Sequence, residues 1–125
     1  YELTNSPAIF QKPFSFYPQV DVYINASTSE GMPLTVLEAM VSGTACVLSD
    51  VQGNNEFYHH AKFFKLNNQE SFLQCLQEYQ DQEERKEMAK KALELISTRH
   101  STENWTKTLV QTYAEQTAKI SPKRI

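Results

Sequence analysis

The fold is most constrained by a stretch in which a strand, a loop, a helix and a second strand follow one another within about 30 residues. Residues 20–25 are rich in β-branched and aromatic side chains, which is typical of a buried strand in a parallel sheet. Residues 44–49 form a second short apolar run. This succession predicts a βαβ unit with a right-handed crossover.

The helix of this unit is bounded by two residues with special backbone preferences. Pro33 fits the first helical position, where the missing amide N–H costs nothing. Gly43 fits the position after the helix, where the backbone adopts the left-handed conformation. Apolar residues occur on more than one side of the helix, which predicts packing between a sheet and another layer; they are Leu34, Leu37, Ala39, Met40 and Val41.

The segments on either side predict further strands and helices. Residues 8–10 suit a short strand, followed by a loop with Lys12 and Pro13 that could border a pocket. Residues 62–66 predict a third strand, after the loop that contains residues 52–55. Asn68 is a good N-cap for a helix over residues 69–79. Further helices are predicted over residues 81–96 and from Thr102 onwards, and residues 119–125 are expected to be a flexible basic tail.

The apolar spacing in these three helices predicts the side chains that face the core. They are Phe72, Leu73, Leu76 and Tyr79 in the first helix, Met88, Ala89, Ala92, Leu93 and Ile96 in the second, and Trp105, Leu109, Val110, Tyr113 and Ala114 in the third. The charged residues between positions 83 and 91 are then a solvated face, on which Glu87 and Lys91 form a stabilising pair.

Composition limits the class of protein and its partners. The chain has 125 residues, 40% of them apolar, and is most simply one domain. Its net charge of −3 gives no concentrated basic face, so nucleic acid is not expected as a partner, whereas a sugar, a nucleotide or a protein remains open. No apolar run approaches the roughly 20 residues of a membrane span, and no leader is recognisable. We therefore expect a cytoplasmic chain whose parent protein can lie at a membrane surface.

The cysteines and histidines do not indicate a metal site. Cys46 and Cys75 have no neighbour at metal-ligand spacing, so we expect two free, mostly buried thiols in a reducing compartment rather than a disulfide. His59 and His60 are adjacent, but no third ligand has a suitable spacing, so surface positions are expected for both.

Two glutamates flank the predicted start of the central helix. A helix that begins after a parallel strand exposes backbone N–H groups and the positive end of its dipole at the edge of the sheet where ligands bind. The amides near Met32, Leu34 and Thr35 would hold a phosphate, and the Thr35 hydroxyl would add a bond. Glu30 and Glu38 would accept hydrogen bonds from neutral hydroxyls, which fits a nucleotide diphosphate sugar. Alternatively, Glu30 caps a helix and Glu38 faces water.

Several motifs accompany these glutamates. They are Asp21-Val22-Tyr23-Ile24-Asn25-Ala26-Ser27, then Ser29-Glu30-Gly31-Met32-Pro33-Leu34 through Glu38-Ala39-Met40, then Ser42-Gly43-Thr44-Ala45-Cys46-Val47, and Ser49-Asp50. Together they resemble the carboxyl-terminal domain of the family-four retaining glycosyltransferases, in which two glutamates are separated by seven residues. The resemblance runs from about residue 9 to 116 and includes Gly53, Glu56 and the helix over residues 105–113.

The resemblance implies a fold and a reaction. The fold would be GT-B, in which two Rossmann-like domains face a cleft, and residues 1–125 would be the later part of the second, nucleotide-sugar-binding domain. The fold class is thus α/β, with a partial Rossmann-like parallel sheet and flanking helices. The implied reaction transfers a hexose, with retention, from a nucleotide-diphosphate sugar, with a UDP-sugar expected, to a glycan, lipid-linked or protein acceptor, as in polysaccharide biosynthesis.

The resemblance also implies roles for individual residues. Glu30 would be catalytic and bond hydroxyls of the transferred sugar, and Glu38 would bond the ribose. The diphosphate would lie on the backbone of Gly31, Met32, Pro33, Leu34 and Thr35. Neither a divalent metal nor a cofactor is expected, because helix N–H groups and basic side chains offset the charge of the leaving phosphate.

The chain also departs from the family pattern. The Arg and Lys that the family places on the diphosphate have no counterpart here, and Lys12 lies too close to the first strand to be that Lys. Ala45 stands where Pro is common. Because the chain starts abruptly at Tyr1 and lacks an acceptor domain, we expect a fragment that is inactive alone. Such a fragment would expose a sheet edge, which favours self-association.

Two rival functions remain open on the sequence. One is an inactive glycosyltransferase-like scaffold or chaperone subunit, and the other is a nucleotide-sugar epimerase of related fold. The intact Glu30 and Glu38 disfavour the scaffold. Ala39-Met40 and Gly43-Thr44 favour a transferase over an epimerase.

Overall fold

The computed structural model describes residues 17–119. A 3₁₀ turn at Tyr17–Gln19 precedes strand β1 (Val22–Asn25), helix α1 (Leu34–Val41), strand β2 (Ala45–Ser49), a 3₁₀ turn at Asn55–Phe57, strand β3 (Lys62–Phe64) and helices α2 (Gln69–Glu78), α3 (Gln82–Arg99) and α4 (Thr102–Lys119). The strand predicted at residues 8–10, the loop with Lys12 and Pro13, and the tail beyond residue 119 lie outside the described residues.

The three strands form one parallel sheet in the order β1-β2-β3. Val22 is opposite Ala45 in the first pair of strands, and Val47 is opposite Lys62 in the second pair. The predicted α/β class, with a Rossmann-like parallel sheet and flanking helices, is confirmed. Three strand ends were predicted wrongly. β1 begins two residues later than expected, β2 begins one residue later, and β3 ends at Phe64, before Leu66.

The ends of α1 show one error and one confirmed prediction. Pro33 lies just before the helix, not at its first position, and its carbonyl accepts hydrogen bonds from the amides of Val36 and Leu37. Gly43 has a φ of +75°, as predicted. The amide of Gly43 bonds to the carbonyl of Met40, and that of Thr44 bonds to Ala39, so the helix ends in a Schellman motif.

Strand β2 is the centre of the core, and all five of its residues are buried. Cys46 and Leu48 point to one face of the sheet, where they pack with α1 and α3 side chains such as Met40 and Ile96. Ala45 and Val47 point to the other face, where they pack with residues that include Cys75 and Tyr79. Alternation along one strand therefore supplies both hydrophobic layers.

Both cysteines are free and buried, as the sequence predicted. Burial raises the pKa of the Cys46 thiol to about 12, so that thiol is unreactive at neutral pH. His59 is exposed, in agreement with its predicted surface position, whereas His60 is half-buried and its Nδ1 atom is fully buried. No group of three or more His, Cys, Asp or Glu side chains able to hold a metal ion occurs within residues 17–119. In that same range, no helix is long and apolar enough to cross a membrane.

Several predicted core residues are in fact exposed. Leu93 is 37% exposed, whereas Leu95, which was not predicted, is 6% exposed and belongs to the core. Leu73 in α2 and both Leu34 and Val41 in α1 are also exposed. In each helix the apolar residues outnumber the positions that the sheet can cover, so the spacing alone could not decide which of them face inward. Along α4, Leu109 and Val110 are exposed.

Candidate functional site

The candidate site lies where β1 and β2 end, because the carboxyl ends of parallel strands meet at one edge of the sheet. Two loops follow these strands there, over residues 26–33 and 50–54. The hydroxyl of Ser49 donates a 2.6 Å hydrogen bond to the carbonyl of Ser27, which ties the end of β2 to the first loop. Asn54, fully buried, donates from Nδ2 to the carbonyl of Ser49 at 3.0 Å.

The Glu30 carboxylate is held at this edge by its own loop and by the end of β1. Nδ2 of Asn25 donates a 3.1 Å hydrogen bond to Oε1 of Glu30. The other end of the same amide, Oδ1, accepts a 3.2 Å bond from the backbone N–H of Ser27. Hydrogen bonds from the side chains of Ser27 and Asn25 hold the pKa of Glu30 below its usual value. Glu30 is therefore ionised at neutral pH and accepts hydrogen bonds.

The Glu38 carboxylate, on the second turn of α1, is held from a different segment. The Tyr17 hydroxyl lies 3.1 Å from Oε2 of Glu38 and 3.4 Å from the carbonyl of Thr35. Tyr17 is 2% exposed, and burial together with the neighbouring carboxylate raises its pKa to about 12. The hydroxyl thus stays protonated and donates to Oε2 of Glu38. The other carboxylate oxygen has no hydrogen-bond partner among residues 17–119 and can accept a bond from a ligand.

A second tyrosine supports the start of α1. The Tyr23 hydroxyl, from β1, lies 2.8 Å from Oγ1 of Thr35. The rings of Tyr17 and Tyr23 pack edge to face with centroids 5.9 Å apart. If Thr35 accepts the bond from Tyr23, its own hydroxyl hydrogen remains available to a bound anion.

The amino terminus of α1 presents free backbone donors. The amides of Val36 and Leu37 bond to the carbonyl of Pro33 at 3.0 and 3.1 Å. The amides of Leu34 and Thr35, the first two residues of the helix, have no acceptor within the described part of the chain. Leu34 is 64% exposed and Met32 is 55% exposed, so the helix start is open to solvent. Free amides at the positive end of a helix can bind an anion.

An open groove of about 470 Å³ adjoins this helix start; it is lined by Met32, Leu37, Arg99, His100, Thr102, Asn104 and Thr108. Helix α3 crosses the domain to reach it. Arg85, near the start of α3, lies 4.0 Å from Asp21 just before β1, whereas His100, just after α3, lies 2.9 Å from Glu56 in the loop after β2. The end of α3 thus brings Arg99 to the same edge as the Glu30 loop.

The residues predicted from the sequence are thus gathered at one edge. The loop from Glu30 to Pro33 leads directly into α1, which carries Thr35 and Glu38. Sequence reasoning missed Tyr17, Tyr23 and Asn25 as their supports. Asn25 ends a strand that leads to a loop carboxylate, which could have suggested it, but nothing in the sequence indicated that Tyr17 reaches Glu38.

Comparison with known proteins identifies the family of this chain. The profile of the family described as "Glycosyl transferases group 1" matches residues 10–95, which contain both glutamates and all three strands. The chain belongs to the group 1 glycosyl transferases. The membership accounts for the arrangement of β1, α1 and β2 and confirms the transferase class that the motifs suggested.

Part of this group 1 glycosyl transferase also resembles one known enzyme. Over 59 residues it is 37% identical to UDP-Gal:alpha-D-GlcNAc-diphosphoundecaprenol alpha-1,3-galactosyltransferase of Escherichia coli. The aligned segment is 45% of this chain and 15% of that enzyme. The chain therefore spans a minor part of the relative's length.

Proposed function

We propose that this chain is the donor-binding part of a retaining hexosyltransferase of the family-four group, with the GT-B architecture. The observation that carries the proposal is the arrangement of two fixed carboxylates on either side of a solvent-exposed helix start. Glu30 is held by Asn25, Glu38 is held by Tyr17, and the free amides of Leu34 and Thr35 lie between them in the chain. This order matches sugar, diphosphate and ribose along a nucleotide sugar.

Each group then has a defined task. Glu30, ionised at neutral pH, accepts hydrogen bonds from hydroxyls of the transferred sugar, and Glu38 accepts from the ribose. The backbone from Gly31 to Thr35 binds the diphosphate. As the bond between the anomeric carbon and the phosphate oxygen breaks, negative charge grows on the leaving phosphate, where helix amides stabilise it. An acceptor oxygen forms the new bond at the same face, which retains the configuration, and its proton is released.

The donor and the acceptor are proposed from the family and from the relative. A UDP-hexose is the proposed donor, and no divalent metal or cofactor is needed to hold its diphosphate. The Escherichia coli relative is named for a galactosyl transfer to a diphosphoundecaprenol-linked sugar. A lipid-linked acceptor in polysaccharide biosynthesis is therefore the form we favour, with a glycan or a protein as the other acceptor classes.

The placement of the chain in the whole protein is part of the proposal. We assign it to the later part of the second Rossmann-like domain, so that a preceding segment supplies the cationic side chains on the diphosphate and another domain binds the acceptor. The chain alone would bind donor weakly and transfer nothing. The parent protein would be cytoplasmic and would meet a lipid-linked acceptor at the membrane surface.

The test measures donor binding and sugar transfer in the full protein that carries this chain. Calorimetry with UDP and with UDP-galactose should show binding, and Glu30→Ala should abolish transfer while the circular dichroism spectrum stays unchanged. Glu94→Ala, on the exposed face of α3, is the matched control and should keep full activity. Retained turnover in Glu30→Ala would refute the role of Glu30. Binding without any transfer by the unaltered protein would favour the inactive scaffold, and interconversion of UDP-sugars would favour an epimerase.

A further inference from the structure

Gly53, in the loop after β2, lies directly against the backbone of Glu30. A Cβ at residue 53 would lie 2.4 Å from the carbonyl oxygen of Glu30, 2.7 Å from its carbonyl carbon and 2.9 Å from its Cβ. Side-chain carbons do not approach other atoms so closely in proteins. Gly53 also has a φ of +95°, which disfavours any residue with a side chain. Glycine is thus required here both for space and for conformation.

Asn25 contacts Glu30 through its carboxylate. It is 7% exposed, and both ends of its amide are engaged, Nδ2 with Oε1 of Glu30 and Oδ1 with the N–H of Ser27. Because its position is fixed by the pairing of β1 with β2, the amide has little freedom to follow a displaced carboxylate. Asn25 therefore constrains the carboxylate, whereas Gly53 constrains the backbone.

The two loops are also fastened to each other behind Glu30. Asn54 donates to the carbonyl of Ser49, and the hydroxyl of Ser49 donates to the carbonyl of Ser27. Ser49 and Asn54 are both fully buried, so the bond between them is shielded from water, whereas the bond from Ser49 to Ser27 is partly buried. Gly53 is held at its place against Glu30 by this buried chain of hydrogen bonds.

We propose that Asn25 and Gly53 are positioning residues that fix where the Glu30 carboxylate meets the sugar of the donor. The proposal rests on the proposed function, in which Glu30 bonds hydroxyls of the transferred sugar. A carboxylate fixed from two directions presents its acceptor lone pairs in one orientation, so it favours a sugar whose hydroxyls lie in that direction. A displacement of about 1 Å at such a site can cost on the order of 100-fold in rate.

The first test replaces Asn25 in the full protein. Asn25→Asp keeps the shape of the side chain and removes the N–H donor, and Asn25→Ala removes the amide altogether. Both should lower kcat/KM for transfer from UDP-galactose by about tenfold or more, since a hydrogen bond to a charged group is lost. The affinity for UDP alone should not change, because UDP lacks the transferred hexose, whose hydroxyls Glu30 is proposed to bind. Asn55→Ala, at an exposed residue that begins the 3₁₀ turn after the Gly53 loop, is the matched control.

A double-mutant cycle with Glu30→Gln separates positioning from a general structural effect. If Asn25 acts through Glu30, Asn25→Ala should cost much less in the Glu30→Gln background than in the unaltered protein. Equal losses in both backgrounds, or a parallel loss of UDP affinity, would overturn the proposal. If Glu30→Gln alone leaves transfer intact, the proposed function fails, whereas loss in Glu30→Gln with full activity in both Asn25 variants refutes only the positioning role.

The second test compares two glycines that share the left-handed conformation. Gly53→Ala and Gly43→Ala introduce similar backbone strain, but among residues 17–119, apart from its own chain neighbours, no atom lies within 4 Å of a Cβ at Gly43. Both variants should lose some thermal stability. Only Gly53→Ala should also lower kcat/KM for the donor sugar by tenfold or more, because it displaces Glu30. An equal effect of the two substitutions on transfer would contradict the positioning role of Gly53.

Discussion

The hydroxyl of Tyr17 donates a 3.1 Å hydrogen bond to Oε2 of Glu38, although the two residues are 21 positions apart in the sequence. Tyr17 begins the 3₁₀ turn before β1, and Glu38 lies on α1. The bond fixes one oxygen of the proposed ribose acceptor and leaves the other for a ligand. Since Tyr17 is buried, the geometry of Glu38 depends on the packing of the segment before β1.

Removal of this hydroxyl should weaken nucleotide binding without disturbing the fold. Tyr17→Phe keeps the buried ring and its contact with Tyr23, and it removes the hydroxyl that bonds to Glu38 and lies near the carbonyl of Thr35. We expect UDP affinity to fall by about 1 kcal/mol, which calorimetry measures directly. Tyr58→Phe, a half-exposed tyrosine bonded to Asp50, is the matched control and should leave the affinity unchanged. Equal affinities for Tyr17→Phe and the unaltered protein would contradict the role of this bond.

Truncation of Glu38 itself should have a larger effect on the same measurement. Glu38→Ala removes the acceptor proposed for the ribose hydroxyls, and we expect a loss of about 1 to 3 kcal/mol in nucleotide affinity. The ribose of the nucleotide carries no charge, so this loss of affinity should depend little on salt concentration. Unchanged affinity in calorimetry would remove Glu38 from the site.

The state of Glu30 should make donor binding sensitive to acid. Its pKa is held below the ordinary value of 4.5, chiefly by the Ser27 side chain and then by Asn25. A lowered pKa in the folded state means that the favourable contacts are complete above the unfolded-state pKa and are lost as pH falls through the folded-state pKa. Donor affinity, measured by calorimetry at a series of pH values, should therefore be flat near neutral pH and fall only below the ordinary carboxyl value of 4.5.

Loss of the Ser27 hydroxyl should raise the pKa of Glu30. In Ser27→Ala the largest cause of the lowered pKa is gone, so the carboxylate of Glu30 should take up its proton nearer to 4.5. Carbon-detected NMR titration of the Glu30 carboxyl group measures this shift. Ser97→Ala, at an exposed position on α3, should leave the pKa of Glu30 unchanged. No difference between the two variants would show that Ser27 does not set the pKa.

Helix α1 should depend for stability on the glycine that ends it. Gly43→Ala forces a side chain into a φ of +75°, and we expect the free energy of unfolding to fall by about 1 kcal/mol. Urea denaturation measures this quantity. Gly31 has no atom within 4 Å of a Cβ and no positive φ, so Gly31→Ala is a control for stability that should be near neutral. Equal stability of the two variants would argue against the Schellman motif as a determinant.

The outer strands predict how the 125-residue chain behaves alone. Within the described residues, β1 and β3 each pair with β2 on one side only, which leaves two strand edges without a partner strand. Such edges favour pairing with a second copy. We propose that the isolated chain self-associates, and a strictly monomeric mass in light scattering would contradict this.

Much of the fold follows from local sequence. The apolar runs at β1 and β2, the proline before α1 and the glycine after it predict the βαβ unit, because strand and turn preferences act over a few residues. The errors concern side chains whose burial depends on how neighbouring helices and strands pack. Leu93 and Leu95 are both apolar, and only the packing of α3 on α1 and β2 selects Leu95 for the core.

The candidate site also has features that follow from local sequence and features that depend on packing. Local sequence was enough to predict that two carboxylates flank a helix start after a parallel strand, since this depends on residue spacing and on the free amides of a helix end. The tertiary structure positions each carboxylate. Tyr17 holds Glu38, and Asn25 and Gly53 hold Glu30. Those contacts join separate segments at the edge of the sheet. They depend on how the strands pair and the helix packs, which no local pattern in the sequence specifies.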